Sequence, residues 1–259
     1  MPHAVNGDVR IAYEVEGDGP PLVLIHANPF DRRMWLYQVP QYAATFRTIA
    51  VDLRGYGGSD KPETPFTLRD MADDVVAVCR KENVERAAFM GASVGANIAL
   101  AIGLDYPELV TSLVLVGGSA RGTAVFADRI AGYLSGDVAS YQDAHIRALV
   151  SPAFAASPLG NWLLELFTSR APALSGACIA QIFRALDAFD AVARLPRVGM
   201  PVLVVNGELD LALPLSNELA AAIPGAEQIV IPGTGHACNL EEPHTFDRAT
   251  TPFLRAHGR

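Results

Sequence analysis

Cysteine is scarce in this chain and poorly spaced for a shared task. Cys79, Cys178 and Cys238 are odd in number and far apart. That argues against a disulfide framework, and the lack of any C-x-x-C or H-E-x-x-H pattern argues against a zinc site. Cys79 and Cys178 sit in helical patterns and read as core thiols, while Cys238 lies two residues after a histidine. Charge is also thin, at 19% of residues, with a net charge of −8 and no cluster of Lys or Arg. Such a surface offers nothing to a phosphate backbone or an anionic membrane. No apolar stretch is long enough to span a bilayer, and the first residues show no basic stretch followed by an apolar run. No G-x-x-x-x-G-K-[ST] occurs, and Gly233-Thr-Gly235 lacks the third glycine of a dinucleotide loop. The expectation is a cytoplasmic protein with no metal, cofactor, nucleic-acid or membrane partner.

Half of the 259 residues are hydrophobic, enough to bury a large core. Residues 9–15 alternate as a half-buried strand does, after an Asn6–Gly7 turn. Short runs at 22–25, 48–52, 87–91, 113–117, 202–206 and 227–231 read as strands, most of them apolar on both faces. Strands of that kind suit a parallel sheet covered by helices on each side. Helical patterns at 68–82, 94–105, 215–222 and 244–257 lie between and after them, the first opening on Thr67 with Asp70 three residues on. The alternation predicts a mostly parallel, doubly wound α/β sheet. Residues 119–195 break the rhythm with about five helix-like pieces cut by Gly and Pro and no strand pattern. They read as a helical lid inserted into a core of residues 1–118 and 196–259, or as part of the layer that covers the sheet.

Gly91-Ala92-Ser93-Val94-Gly95 stands between an apolar strand and a helix. A serine on so sharp a turn needs small neighbours two positions away on either side, and both are glycine. The turn exposes the hydroxyl at a helix N-terminus, where free amides favour negative charge. Ser93 is therefore the candidate nucleophile, and a nucleophilic serine needs a base. His236, flanked by Gly233 and Gly235 just after the last strand, is the candidate. A carboxylate must orient that imidazole. Asp210 follows the run 202–206 at a strand's carboxyl end, where sites in such sheets gather; Glu208 is its rival. Backbone amides of Asn28 and Val94 are the candidate oxyanion donors, and His26 reads as a brace for the first of these loops. Phe30, Trp35 and Trp162 read as core or as pocket wall. Arg33, Arg121 and Arg147 read as exposed, or as partners for a substrate carboxylate.

HANP at 26–29, DLRGYGGSD at 52–60, GASVG at 91–95, GELD at 207–210 and GTGHACNLEEP at 233–243 together resemble the α/β-hydrolase superfamily over nearly the whole chain. The family usually has His-Gly where this chain has His26-Ala27. The resemblance implies the α/β-hydrolase fold and a Ser93–His236–Asp210 triad. It makes Arg54–Asp60 a structural signature. Haloalkane dehalogenases and epoxide hydrolases of this fold carry Asp where this chain has Ser93. Carbon–carbon bond hydrolases carry Trp soon after the histidine, whereas Ala237-Cys238-Asn239 stands here. H-x-x-N-x-E-x-P at 236–243, with Met34-Trp35, is similar to the enol-lactonase and small carboxylesterase branch. The expected activity is hydrolysis of a small to medium ester or lactone through an acyl-enzyme. The alternatives are a carbon–carbon bond hydrolase and a non-catalytic small-molecule receptor.

Overall fold

The computed structural model describes residues 1–169 and 172–258. Eight strands form one sheet: β1 (His3–Asn6), β2 (Val9–Glu16), β3 (Pro21–Ile25), β4 (Arg47–Val51), β5 (Ala87–Ala92), β6 (Val110–Val116), β7 (Val202–Gly207) and β8 (Glu227–Ile231). Their order is β1-β2-β4-β3-β5-β6-β7-β8. The first two pairings, β1–β2 and β2–β4, are antiparallel, and every later one is parallel. The chain thus winds outward both ways from β3 and β5, which places the carboxyl ends of the central strands along one edge. The Asn6–Gly7 turn joins β2 to β1, a strand the sequence pattern does not reveal because only four residues form it.

The apolar runs are strands for the reason their pattern implies. Val23 and Ile25 enter the core on one face of the sheet, while Leu22 and Leu24 enter the core on the other. Leu113 and Leu115 divide from Val114 and Val116 in the same way. Both faces are dry, so period-two alternation of polarity vanishes. Each fully buried Leu, Ile or Val contributes about 1.5–3 kcal/mol relative to exposure.

Helices cover both faces. They are α1 (Gln38–Ala43), α2 (Leu68–Lys81) and α3 (Val94–Asp105), then α4 (Val125–Tyr133), α5 (Val138–Arg147), α6 (Pro152–Ala156), α7 (Pro158–Glu165) and α8 (Gly176–Asp187) between β6 and β7. α9 (Leu213–Ala222), α10 (Cys238–Glu241) and α11 (Pro243–His257) complete the chain. Thr67 caps α2 through a reciprocal box with Asp70, a device worth about 1 kcal/mol. α3 is buried along most of its length under the sheet. No helix among the described residues is long and apolar enough to cross a membrane.

Among the described residues, the segment between β6 and β7 holds five α-helices, a short 3-10 helix (Val192–Arg197) and only an isolated bridge, Arg121 to Asp190. That bridge and the Ala191 amide on the Ala120 carbonyl (2.7 Å) bring the two ends of the segment together at one neck. Leu163, Phe167, Ile179, Ile182 and Phe183 are buried, whereas Trp162 is 48% exposed. Trp35 packs fully buried beside Phe246, and Phe30 meets Phe167 edge-on.

Candidate active site

Ser93 stands between β5 and α3 with φ 53° and ψ −115°. A non-glycine residue there stores of order 1–3 kcal/mol of strain, which the surrounding packing must hold. Two glycines make the turn possible. A Cβ on Gly91 would lie 2.1 Å from the Gly95 carbonyl oxygen, and one on Gly95 would lie 2.2 Å from the Ile25 oxygen. The Ser93 amide donates to the Val116 carbonyl at 2.7 Å, tying the turn to the end of β6.

Asp210 and His236 meet at the next strand end. The His236 Nδ1–H donates to Asp210 Oδ1 at 2.8 Å. The Ala212 amide donates to the same oxygen at 2.8 Å, and Asn206 Nδ2 donates to Oδ2 at 2.9 Å. Asn206 also donates to Ser216, whose hydroxyl donates to the Gly118 carbonyl. Asp210 thus receives three donors, and its charge is satisfied although it is 5% exposed. Burial pushes its pKa up, but the His236 charge and these hydrogen bonds outweigh it, and the carboxyl titrates below its ordinary value. Burial pulls His236 down, yet Asp210 outweighs that and the imidazole titrates above the ordinary value.

With Nδ1 committed to Asp210, Nε2 is left for chemistry. The ring lies against Gly117: a Cβ there would stand 2.7 Å from Cε1 and 2.8 Å from Nδ1. Gly117 directly follows Val116, the residue that holds the Ser93 amide. The end of β6 therefore touches both the elbow and the imidazole. The Ser93 hydroxyl itself makes no hydrogen bond to a described residue, so the structure joins Asp210 to His236 directly, while Ser93 is linked to them only through the Val116–Gly117 backbone. Catalytic hydrogen bonds are often long before substrate binds.

The rival acid stands apart. Glu208 is exposed and accepts the Gly233 amide at 2.9 Å. Glu241 instead braces the histidine loop, accepting the amides of Gly235 (2.7 Å) and Ser151 (2.9 Å). Cys238 is buried, and burial pushes its thiol well up, so it is inert packing. Among the described residues no group of three His, Cys, Asp or Glu side chains is placed to hold a metal ion.

The amides of Asn28 and Val94 donate to no protein atom among the described residues. The loop that carries Asn28 is built tightly. The Leu53 amide donates to His26 Nε2 at 3.0 Å, which puts the ring proton on Nδ1, 2.9 Å from the Ala27 carbonyl. His26 is thus a brace. The Ala27 amide faces the Met34 sulfur at 3.4 Å, and the Asn28–Pro29 peptide is cis. The Asn28 side chain is buried in a polar cluster that the sequence does not announce. Its Oδ1 accepts from the Tyr56 hydroxyl; its Nδ2 reaches the Tyr133 hydroxyl at 3.3 Å and His145 Nδ1 at 3.4 Å. Tyr56 belongs to the 52–60 segment, which is anchored by a buried Arg54–Asp74 ion pair of 2.6 Å.

A mostly parallel sheet with a strained serine elbow and a carboxylate–imidazole pair at its carboxyl edge defines an α/β hydrolase. The chain belongs to that family: a family model described as alpha/beta hydrolase fold matches residues 20–243. It is 29% identical to 2-(acetamidomethylene)succinate hydrolase of Mesorhizobium japonicum, over 96% of this chain and 93% of that protein. The enol-lactonase from Burkholderia xenovorans LB400 superposes with a TM-score of 0.92 at 25% identity, covering 98% of this chain and 100% of that one. Est816, described as an N-acyl homoserine lactone degrading enzyme, is 30% identical with a TM-score of 0.84, covering 97% and 100%.

Proposed function

We propose that this hydrolase cleaves a small to medium carboxylic ester or lactone through Ser93, His236 and Asp210. The observation that carries this reading is the Asp210–His236 hydrogen bond, which frees Nε2 beside the strand end that anchors the Ser93 elbow.

His236 Nε2 takes the Ser93 hydroxyl proton as Oγ attacks the carbonyl carbon. The resulting oxyanion lies between the Asn28 and Val94 amides, and Asp210 holds the imidazolium that forms. The tetrahedral species collapses, the C–O bond to the alcohol breaks, and the imidazolium gives that oxygen its proton. Water then attacks the acyl-enzyme, passing its proton to Nε2; collapse restores Ser93 and releases the acid. In a lactone the leaving alcohol stays attached to the acyl group and leaves with it.

The helices α4–α8 act as a lid on this edge. Tyr133 and His145 reach the Asn28 side chain, and the Ala237 amide donates to the Leu149 carbonyl at 3.0 Å. Two of the similar proteins bear names of lactone chemistry, which is the same acyl transfer on a cyclic ester.

The test is covalent labelling with a fluorophosphonate probe, followed by an ester and lactone chain-length screen. Labelling at Ser93 with ester or lactone turnover is expected. Absence of both, or turnover only of a ring-fission diketone, would overturn the reading.

A further inference from the structure

Arg129 stands out among the arginines. Arg32, Arg33, Arg47, Arg54, Arg147 and Arg194 are buried or half-buried, and each faces a carboxylate of this chain. Arg129, on α4, is half-buried and has no carboxylate partner among the described residues. Its Nη1 lies 3.5 Å from the Tyr141 hydroxyl on α5. The Tyr141 ring packs in turn on Tyr133 (centroids 4.9 Å apart) and His145 (6.0 Å), so the guanidinium sits one side chain away from the cluster that reaches Asn28.

His145, on α5, supplies a second free donor. It is 5% exposed. Asn28 Nδ2 is a donor only and stands 3.4 Å from His145 Nδ1, so that nitrogen turns a lone pair rather than an N–H toward the cluster. The Tyr133 hydroxyl, 3.0 Å away, then donates to Nδ1 and accepts from Asn28. This network assigns the ring proton to Nε2, and that N–H meets no acceptor among the described residues. Burial, with help from Arg129 and His236, lowers the pKa of His145 to about 3, so the ring stays neutral.

We infer that Arg129 and the Nε2–H of His145 form an anion subsite, and that the substrate carries a carboxylate away from its scissile carbonyl. This rests on the ester or lactone reading above. A planar monoanion suits one guanidinium fork and one neutral N–H; a phosphate dianion would leave a charge uncompensated. Arg33, Arg121 and Arg147 already face Asp31, Glu218 and Asp143, so none of them is free for this role.

The experiment compares mono-p-nitrophenyl succinate, an anionic ester, with neutral p-nitrophenyl butyrate. The wild type should favour the succinate ester in kcat/KM. Arg129→Met should lower the anionic-to-neutral ratio at least tenfold, mainly through KM, and Arg129→Lys should restore part of it. Calorimetric titration with succinate supplies a readout free of turnover: binding should weaken at least tenfold in Arg129→Met. A wild type that prefers the neutral ester, or a ratio within twofold in the variant, overturns the inference. If the wild type cleaves neither ester and Ser93 resists labelling, the hydrolase reading falls. Calorimetry then decides the subsite alone, and absent or unchanged succinate binding overturns it.

Discussion

Asp210→Asn isolates what the buried carboxylate does. Each Asp210 oxygen accepts: Oδ1 from His236 Nδ1–H and the Ala212 amide, Oδ2 from Asn206 Nδ2. An amide at this position must aim an NH₂ at one of those donors. Facing His236, it forces Nδ1 to accept and moves the ring proton to Nε2, which abolishes the base. Facing Asn206, it drives that side chain to turn and costs Ser216 its donor. Either way the negative charge next to the imidazolium is lost. Two unit charges about 4 Å apart interact by ~4 kcal/mol at an effective dielectric constant near 20, which is roughly a thousandfold in rate. The tautomer penalty takes the expected fall in kcat to about 10⁴-fold. The assay is hydrolysis of a neutral p-nitrophenyl ester between pH 6 and 9, with thermal melting as a check on folding. In the wild type, the acid limb of kcat/KM should have its midpoint above the ordinary histidine value, because Asp210 raises His236 against the pull of burial. In the variant that midpoint should move down. Glu208→Gln, altering an exposed carboxylate that only accepts the Gly233 amide, should change kcat less than about threefold, as distant surface changes do. A folded Asp210→Asn protein within tenfold of wild-type kcat would refute the reasoning.

Ser93→Ala should reduce ester turnover by about 10⁶-fold, as removal of a triad nucleophile does elsewhere, and abolish fluorophosphonate labelling; near-normal turnover would remove Ser93 from the chemistry. Gly117→Ala should cost at least a hundredfold in kcat and lower the melting temperature, because the new Cβ lies 2.7 Å from the His236 ring and the backbone has φ +59°; unchanged activity would show that the ring does not need its place. His145→Gln bears on acid stability. Burial lowers the folded-state pKa of His145 to about 3, so below about pH 6.5 the unfolded chain binds a proton that the native chain refuses. Stability is then lost as pH falls from the unfolded value toward the folded one, with a slope approaching about 1.4 kcal/mol per unit and a loss of ~2 kcal/mol between pH 6.5 and 4.5. Urea unfolding at pH 7 and 4.5 should show a smaller acid penalty in the variant; equal penalties would contradict the burial argument.

Local chemistry writes much of this protein into its sequence. Runs apolar on both faces had to be strands of a covered parallel sheet, and Thr67 with Asp70 had to open a helix. Two glycines around Ser93 had to mark a turn that leaves no room for a Cβ. These are short-range constraints, written in neighbouring residues. Asp210 and His236 were legible as strand-end residues for the same reason, and the structure sets them 2.8 Å apart. Tertiary packing decided the rest. Asn206 shows in sequence only as a polar residue ending an apolar run, and nothing there says that it holds Asp210 from behind. Tyr56, Tyr133 and His145 come from a loop and two helices, and no spacing pattern relates them to Asn28. Arg129 has the same sequence signature as an exposed helical arginine. Its lack of a carboxylate partner, and its place beside Tyr141 next to Tyr133 and His145, exist only once α4 and α5 fold down over the loop that carries Asn28. Periodicity and turn chemistry act over a few residues, whereas the partner of a buried polar group is set by whichever distant segment the fold brings against it.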